Sequence, residues 1–201
     1  MAKKISTQAV KKATNKSWDE WHQILKQKVR EDWNHKDIVS YLINKHKLSH
    51  WWAQTVTVDF EQFTGKRQIG QTQSEGYQIG VRKTINKSHK DIWEWLLSKN
   101  GSQVWLGKNQ IENFKEGDRF QTDGELTVEI RVIKPNHHIR LTWKPKEWES
   151  PSLLQIRVYP TSTGKSTIAV HQDNLKNGTV REQMREFWKN VLEKIKISNE
   201  V

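Results

Sequence analysis

The sequence predicts an α+β protein in which a curved antiparallel sheet holds a long C-terminal helix, with a small all-α domain in front of it. Three observations predict it. Apolar residues recur at helical spacing as far as Phe63 and at a period of two from Tyr77 onward. Turn residues such as Pro135-Asn136 and Gly164 separate the period-two runs, which suits antiparallel neighbours. The C-terminal segment returns to helical spacing with one broad apolar face, the partner that a half-buried sheet needs.

Residues 1–16 show no apolar period and are expected to form a disordered tail. Ser17-Trp18-Asp19-Glu20 is a capping box, with a hydroxyl for the third amide and a carboxylate reaching back. Trp18, Trp21, Leu25 and Val29 then predict a helix over 18–30. A second helix is predicted over 36–45, with Ile38, Val39, Leu42 and Ile43 on one face, and Leu48-Ser49 reads as a turn and cap. The next segment fits two patterns. Thr55 to Phe60 alternates like a strand, whereas Trp52, Val56, Phe60 and Phe63 form one helical stripe, and the stripe's length decides for a helix ending at Gly65. Residues 17–67 are therefore a small helical domain. Residues 68–76, polar and bounded by Gly, read as a linker, and 77–201 as the second domain.

In that second part Tyr77, Ile79, Val81 and Ile85 alternate as a half-buried strand. Ser88 caps a short helix carrying Ile92, Trp93, Leu96 and Leu97, and Trp105-Leu106 belongs to a second short helix or turn. Phe114 to Phe120, through Gly117-Asp118, reads as a tight hairpin. Strict alternation follows in Leu126, Val128, Ile130 and Val132, then in Ile139, Leu141 and Trp143. It returns in Leu154, Ile156 and Val158, and in Ile168 and Val170. Thr179 to Glu182 matches a capping box and opens a helix with Val180, Met184, Phe187, Trp188, Val191, Leu192 and Ile195 on one face.

Composition narrows the function classes. The 201 residues are 34% hydrophobic and 28% charged, a polar balance that would suggest disorder were it not for eleven Trp, which gain little unless buried. The absence of Cys removes disulfides, thiolate zinc sites, iron–sulfur clusters and cysteine nucleophiles. No run approaches the roughly 18 apolar residues that span a bilayer. The basic start lacks an apolar core behind it, so no secretory signal is expected and the expected location is cytoplasmic. The net charge of +11 favours nucleic acid, anionic membranes or acidic proteins as partners, but the charges are interleaved. Nucleic acid stays possible without being favoured.

A curved sheet closing over a long helix leaves room between them for an interior cavity. Val128, Ile130, Leu141, Trp143, Ile156, Val158, Ile168 and Val170 would line its sheet side, and Met184, Phe187, Trp188 and Val191 its helix side. Such walls suit a hydrophobic or amphipathic small molecule; alternatively the large side chains fill the space as an ordinary core. No cofactor or metal is expected. His46 and His50 are separated by a turn, His137-His138 lie in a loop, and nothing supplies three converging ligands. Glu125 and Glu129, four apart on one strand face, read as surface carboxylates rather than an acid–base pair. The helices over 37–63 could be a helix-turn-helix presenting Ser49, His50, Gln54 and Thr55, although Trp51-Trp52, Asp59 and Glu61 suit a packed cap better than a DNA reader.

Several of these pieces carry a family likeness. They are Ile85 to Trp93, Trp105-Leu106, Phe114-x-x-Gly117-Asp118-x-Phe120, Val132-Ile133-x-Pro135 leading to Ile139-Arg-Leu141-Thr-Trp143, and the closing helix with Trp188. In that order, residues 77–201 resemble the START-like helix-grip superfamily (SRPBCC), and within it the homologues of the activator of heat-shock-protein ATPase. The branch carries a His three residues before the Leu that ends the last strand. Here that Leu is Leu175, the slot holds Gln172, and His171 falls on the opposite face. Residues 18–67 resemble a small helical domain of unknown function that precedes such domains in some bacterial proteins. The resemblance implies a non-catalytic binding protein, for a lipid-like ligand or as a co-chaperone of a protein partner. It leaves open a ligand-sensing DNA-binding regulator and a cyclase- or hydrolase-type enzyme acting in the cavity.

Overall fold

A computed structural model describes residues 5–72 and 76–200. The chain divides into two compact units, with the boundary between Ile69 and Gly70.

The first unit consists of α1 (Thr7–Thr14), α2 (Trp18–Lys28), α3 (His35–His46) and α4 (His50–Phe63). Within the expected disordered tail, Thr7–Thr14 forms α1; residues 1–4 lie outside the described residues. Ser6 caps α1, Val10 is 0% exposed, and the indole N–H of Trp18 donates to the Ile5 carbonyl at 3.0 Å. One buried Val is too weak a pattern to read, and indoles of the next helix supply the anchors. The capping box at Ser17 forms in both directions, Glu20 N–H to Ser17 Oγ at 3.3 Å and Ser17 N–H to Glu20 Oε2 at 2.7 Å. Those bonds hold the Glu20 carboxyl below its ordinary range. Asn34 and Asp37 form a second box at the start of α3. Ser49 caps α4, whose Ala53, Val56 and Phe60 are buried as one helical stripe rather than as a strand. They pack with Trp18, Trp21, Leu25, Ile38 and Leu42.

The second unit consists of β1 (Tyr77–Ile85), α5 (His89–Leu97), α6 (Lys99–Leu106), β2 (Arg119–Gln121), β3 (Thr127–Lys134), β4 (His138–Lys144), β5 (Ser152–Pro160), β6 (Ser166–Leu175) and α7 (Gly178–Glu200). The described ends of the segment expected to be a linker are tied to β1. Gln78 N–H donates to the Gly70 carbonyl, Thr72 N–H donates to the Gly76 carbonyl, and Gln71 bridges to Tyr77. The six strands form one antiparallel sheet in the order β1-β6-β5-β4-β3-β2. The pair α5–α6 carries the chain from one edge of this sheet to the other. Ser98 ends α5 and caps α6, and the turn is so tight that a Cβ on Gly101 would lie 1.7 Å from the Trp95 carbonyl oxygen.

Three local expectations are corrected. Phe114 to Phe120 is not a hairpin. It is a turn, held by Gly117 N–H to the Ile130 carbonyl, that leads into the short edge strand β2, and the hairpin is β2 with β3. The alternation of β3 breaks at a bulge between Ile130 and Val132, so Ile133 packs on the core opposite Ile139 and Val132 does not. The cap of α7 is Asn177, whose Oδ1 accepts from Val180 N–H at 2.9 Å, rather than Thr179. The helix begins two residues earlier than the sequence box implies, and Glu182 turns to Arg181 and Arg185 instead.

One face of the sheet meets α7 through Met184, Trp188, Val191, Leu192 and Ile195, at positions i, i+4, i+7, i+8 and i+11. Helix α7 lies chiefly along β1 and β6.

Candidate functional site

The residues expected to line an interior cavity do come together, on the helix-facing side of the sheet. Val128, Ile130, Leu141, Trp143, Ile156, Val158, Ile168, Val170, Met184, Trp188 and Val191 are all buried in one apolar cluster. Phe187 is the exception. It is 39% exposed, though its ring centroid lies 5.8 Å from that of Trp143 and 5.2 Å from that of Trp188. The Trp143 and Trp188 centroids are 5.2 Å apart, so two of the large rings of this cluster meet between sheet and helix.

A chain of neutral polar groups runs through this cluster. The Trp188 indole N–H donates to Gln172 Oε1 at 2.8 Å, Gln172 Nε2 donates to Ser152 Oγ at 2.8 Å, and the Ser152 hydroxyl donates to the Trp143 carbonyl at 3.0 Å. Gln172 is 0% exposed, so the slot that departs from the family pattern points inward, and His171 is exposed on the other face. The Trp143 indole nitrogen is enclosed and finds no acceptor.

Open space adjoins the core at the end of the sheet where α7 begins. There a half-open pocket of about 460 Å³ is lined by Glu147, Trp148, Glu149 and Ser150 from the β4–β5 loop, Asn174, Leu175 and Lys176 from the end of β6, and Val180 from the first turn of α7. Trp148, Leu175 and Val180 give it an apolar floor shared with the core, and Lys176 pairs with Glu149 at 3.3 Å on its rim. None of these residues is among the expected lining positions. The readable signal was Trp148 itself, a large ring set in the polar stretch from Pro145 to Pro151. What made it a site was the meeting of two loops distant in sequence.

The other candidates disperse. His46 ends α3 against Trp21 and Tyr41, whereas His50 opens α4. His137 and His138 do touch, Nδ1 to Nδ1 at 2.6 Å. Among the described residues no group of three or more His, Asp or Glu converges as a metal site. Glu125 and Glu129 do not share a strand face. Glu125 precedes β3 with a left-handed φ of 59° and pairs with Lys146, while Glu129 pairs with Arg119 and Arg131. Of the four residues a helix-turn-helix would present, Ser49 is the cap of α4, Thr55 donates to the Trp51 carbonyl, and Gln54 Oε1 is bonded to His35. The other ring nitrogen of His35 meets Glu61, which also holds Arg67 at 3.3 Å, so this surface is knit to itself. Among the described residues no helix is long and apolar enough to cross a membrane.

An antiparallel sheet laid over a terminal helix, with two short helices joining its two edge strands in sequence, defines the helix-grip class of START-like proteins. The family model described as "Activator of Hsp90 ATPase homolog 1-like protein" matches residues 86–198, more than half of the chain, and the chain belongs to that family. By sequence no curated protein matches. Among solved structures, a protein from Mesorhizobium loti is 20% identical with a TM-score of 0.52, over 59% of this chain and 93% of its own. The Aha1 dimer from Colwellia psychrerythraea is 16% identical with a TM-score of 0.54, over 62% of this chain and 96% of its own. An HSP90 activator from Plasmodium falciparum is 15% identical with a TM-score of 0.53, over 61% of this chain and 95% of its own. At these identities the likeness is one of fold.

Proposed function

We propose that the chain is a non-catalytic binding protein that holds a small amphipathic molecule in the pocket where α7 begins, not deep between sheet and helix. The observation that carries this reading is the pocket itself. Its volume of about 460 Å³ suits a small ligand, and its floor of Trp148, Leu175 and Val180 would take an apolar body. The rim of Glu147, Glu149, Asn174 and Lys176 would orient a polar head. The close approach of Trp143 and Trp188 between sheet and helix, 5.2 Å between ring centroids, supports the pocket over the interior. The family description supplies a second reading, a co-chaperone-like protein contact, which the half-exposed ring of Phe187 favours.

The eleven indole N–H groups give a direct test, because each yields a nuclear magnetic resonance signal and Trp148→Phe identifies one of them. Titration with decanoate, decylamine and a sterol is expected to move the Trp148 signal saturably for at least one probe, and Val180→Glu is expected to abolish that shift. Movement of the Trp143 and Trp188 signals with Trp148 unmoved would place the ligand in the interior and overturn the proposal. Silence of all eleven signals would also overturn it.

A further inference from the structure

The sheet face turned away from α7 carries a central group of cations that have no carboxylate partner among the described residues. Strand register sets the side chains in rows. Lys134, His138, Arg157 and, beyond Ala169, Arg82 share one row across β3, β4, β5, β6 and β1. Arg140, Gln155 and His171 share the next. Neighbours within a row are about 5 Å apart and rows about 7 Å apart. Arg140 donates to Gln155 Oε1 through Nε at 3.2 Å and Nη2 at 2.8 Å, and Arg157 Nη2 reaches the same oxygen at 3.4 Å. Two guanidinium groups therefore converge on one neutral oxygen. Arg157 Nε is enclosed without an acceptor, although Nη1 reaches the Tyr159 hydroxyl at 3.4 Å.

Among the described residues, none of Arg82, Lys134, Arg140 and Arg157 forms an ion pair with a carboxylate. The nearest acidic row holds Glu129, already shared by Arg119 and Arg131, and Asp173. His138, directly opposite Arg157, offers no negative charge. Burial, then His137 and the cations Arg157, Lys134 and Arg140, hold it below its ordinary range and so in the neutral form. A carboxylate brought to Arg140 and Arg157 would make charge-assisted, forked hydrogen bonds and relieve the repulsion between them.

We propose that this face docks a short carboxylate-rich segment of a partner protein, with Arg140 and Arg157 as the central anchors and Arg82 and Lys134 as flanking cations. The surface is an open sheet face rather than a cleft, which fits an extended chain. Among the exposed large hydrophobic residues, Tyr159 is the one beside these rows, in the neighbouring row with Thr167 and Thr84, whereas single-stranded nucleic acid is held on several stacked rings. Glu129 and Asp173 border the cationic rows and would repel a continuous phosphate backbone, but not a short acidic stretch. The net charge of +11 adds long-range attraction for such a segment. The proposal does not depend on the pocket where α7 begins.

The test uses the full chain and a labelled heptaglutamate peptide, followed by fluorescence anisotropy at about 50 mM and about 200 mM salt. Arg140→Gln with Arg157→Gln is expected to weaken binding about tenfold or more. Lys99→Gln with Lys194→Gln removes the same charge elsewhere and is expected to change it less than about twofold. Because the Arg140 and Arg157 side chains are half-buried, Arg82→Gln with Lys134→Gln, both exposed, provides a second variant, expected to weaken binding about threefold. Equal weakening by the face and control variants would show diffuse attraction and overturn the proposal, as would no binding at the lower salt. An oligothymidylate of equal charge that binds more tightly and is lost in the same face variants would assign the surface to nucleic acid and overturn it too.

Discussion

Trp21 and Trp188 are among the most deeply buried indoles of their respective units, 1% and 0% exposed, and each donates its N–H to one side-chain oxygen at 2.8 Å. The acceptors differ in reach. Thr14, which receives Trp21, lies seven residues away and itself donates to the Val10 carbonyl one helical turn back. Gln172, which receives Trp188, passes the connection on to Ser152 and thence to Trp143, so one chain of bonds links α7 to β6, β5 and β4. In the helical unit a buried polar group pins a two-turn helix. In the sheet unit it ties the terminal helix to the register of three strands.

Trp188→Ala would break the second arrangement outright. It removes a fully buried ring from the centre of the cluster and is expected to cost about 3–5 kcal/mol, read as a lower denaturant midpoint for the sheet unit. Gln172→Leu keeps the volume but strands the Trp188 N–H and removes the donor to Ser152. The expected cost is about 2–3 kcal/mol, with the loss of hydrogen-exchange protection spreading across β4, β5 and β6. Thr14→Val makes the matching change at Trp21 and is expected to cost about 1–2 kcal/mol, with the exchange change confined to α1 and the start of α2. A spread as wide as that of Gln172→Leu would erase the contrast.

The smallest effect concerns pH, and both units share its sign. Burial is the main cause that holds His46 and His138 below their ordinary value of 6.5, with Lys16 and Lys45 adding to it at His46. Well above 6.5 both residues are neutral in the folded and unfolded chains and contribute no slope. As pH falls through that value the unfolded chain takes up protons that the folded chain refuses, so stability drops until the lower folded pKa values are passed. Melting temperatures measured from pH 7 downward are expected to fall more steeply for the wild type than for His138→Gln in the sheet unit, and than for His46→Gln in the helical unit. An unchanged slope would show that the rings are protonated without cost.

How much of this was legible depends on the range of the interactions. The stripe of Val56 and Phe60 was long enough to overrule an alternating reading, and the strands of the second unit showed wherever Val, Ile and Leu occupied every second position. Helix α1 was invisible because a single Val10 faces the core and its other anchors are indoles of α2. The β3 bulge was hidden because Val132 and Ile133 are both apolar, and either could have faced inward. The expected lining residues were recognisable as inward-facing, but whether they enclose a void is a matter of volume, which no alternation of apolar residues encodes. The pocket beside them depended on Trp148 meeting Leu175 and Val180, a closure that no local pattern announces.

The pairing of β1 with β6 bears on how the molecule can be dissected. The family match starts at Asn86, immediately after β1, so a fragment cut at that boundary would keep the recognisable segment and lose the strand that covers β6. The uncovered rim of β6, with Ile168 and Val170 along it, would then be open to pairing with another chain, and helix α7 would lose its main bed. A usable truncation has to begin no later than Gly70, where the hydrogen bonds that start β1 first appear.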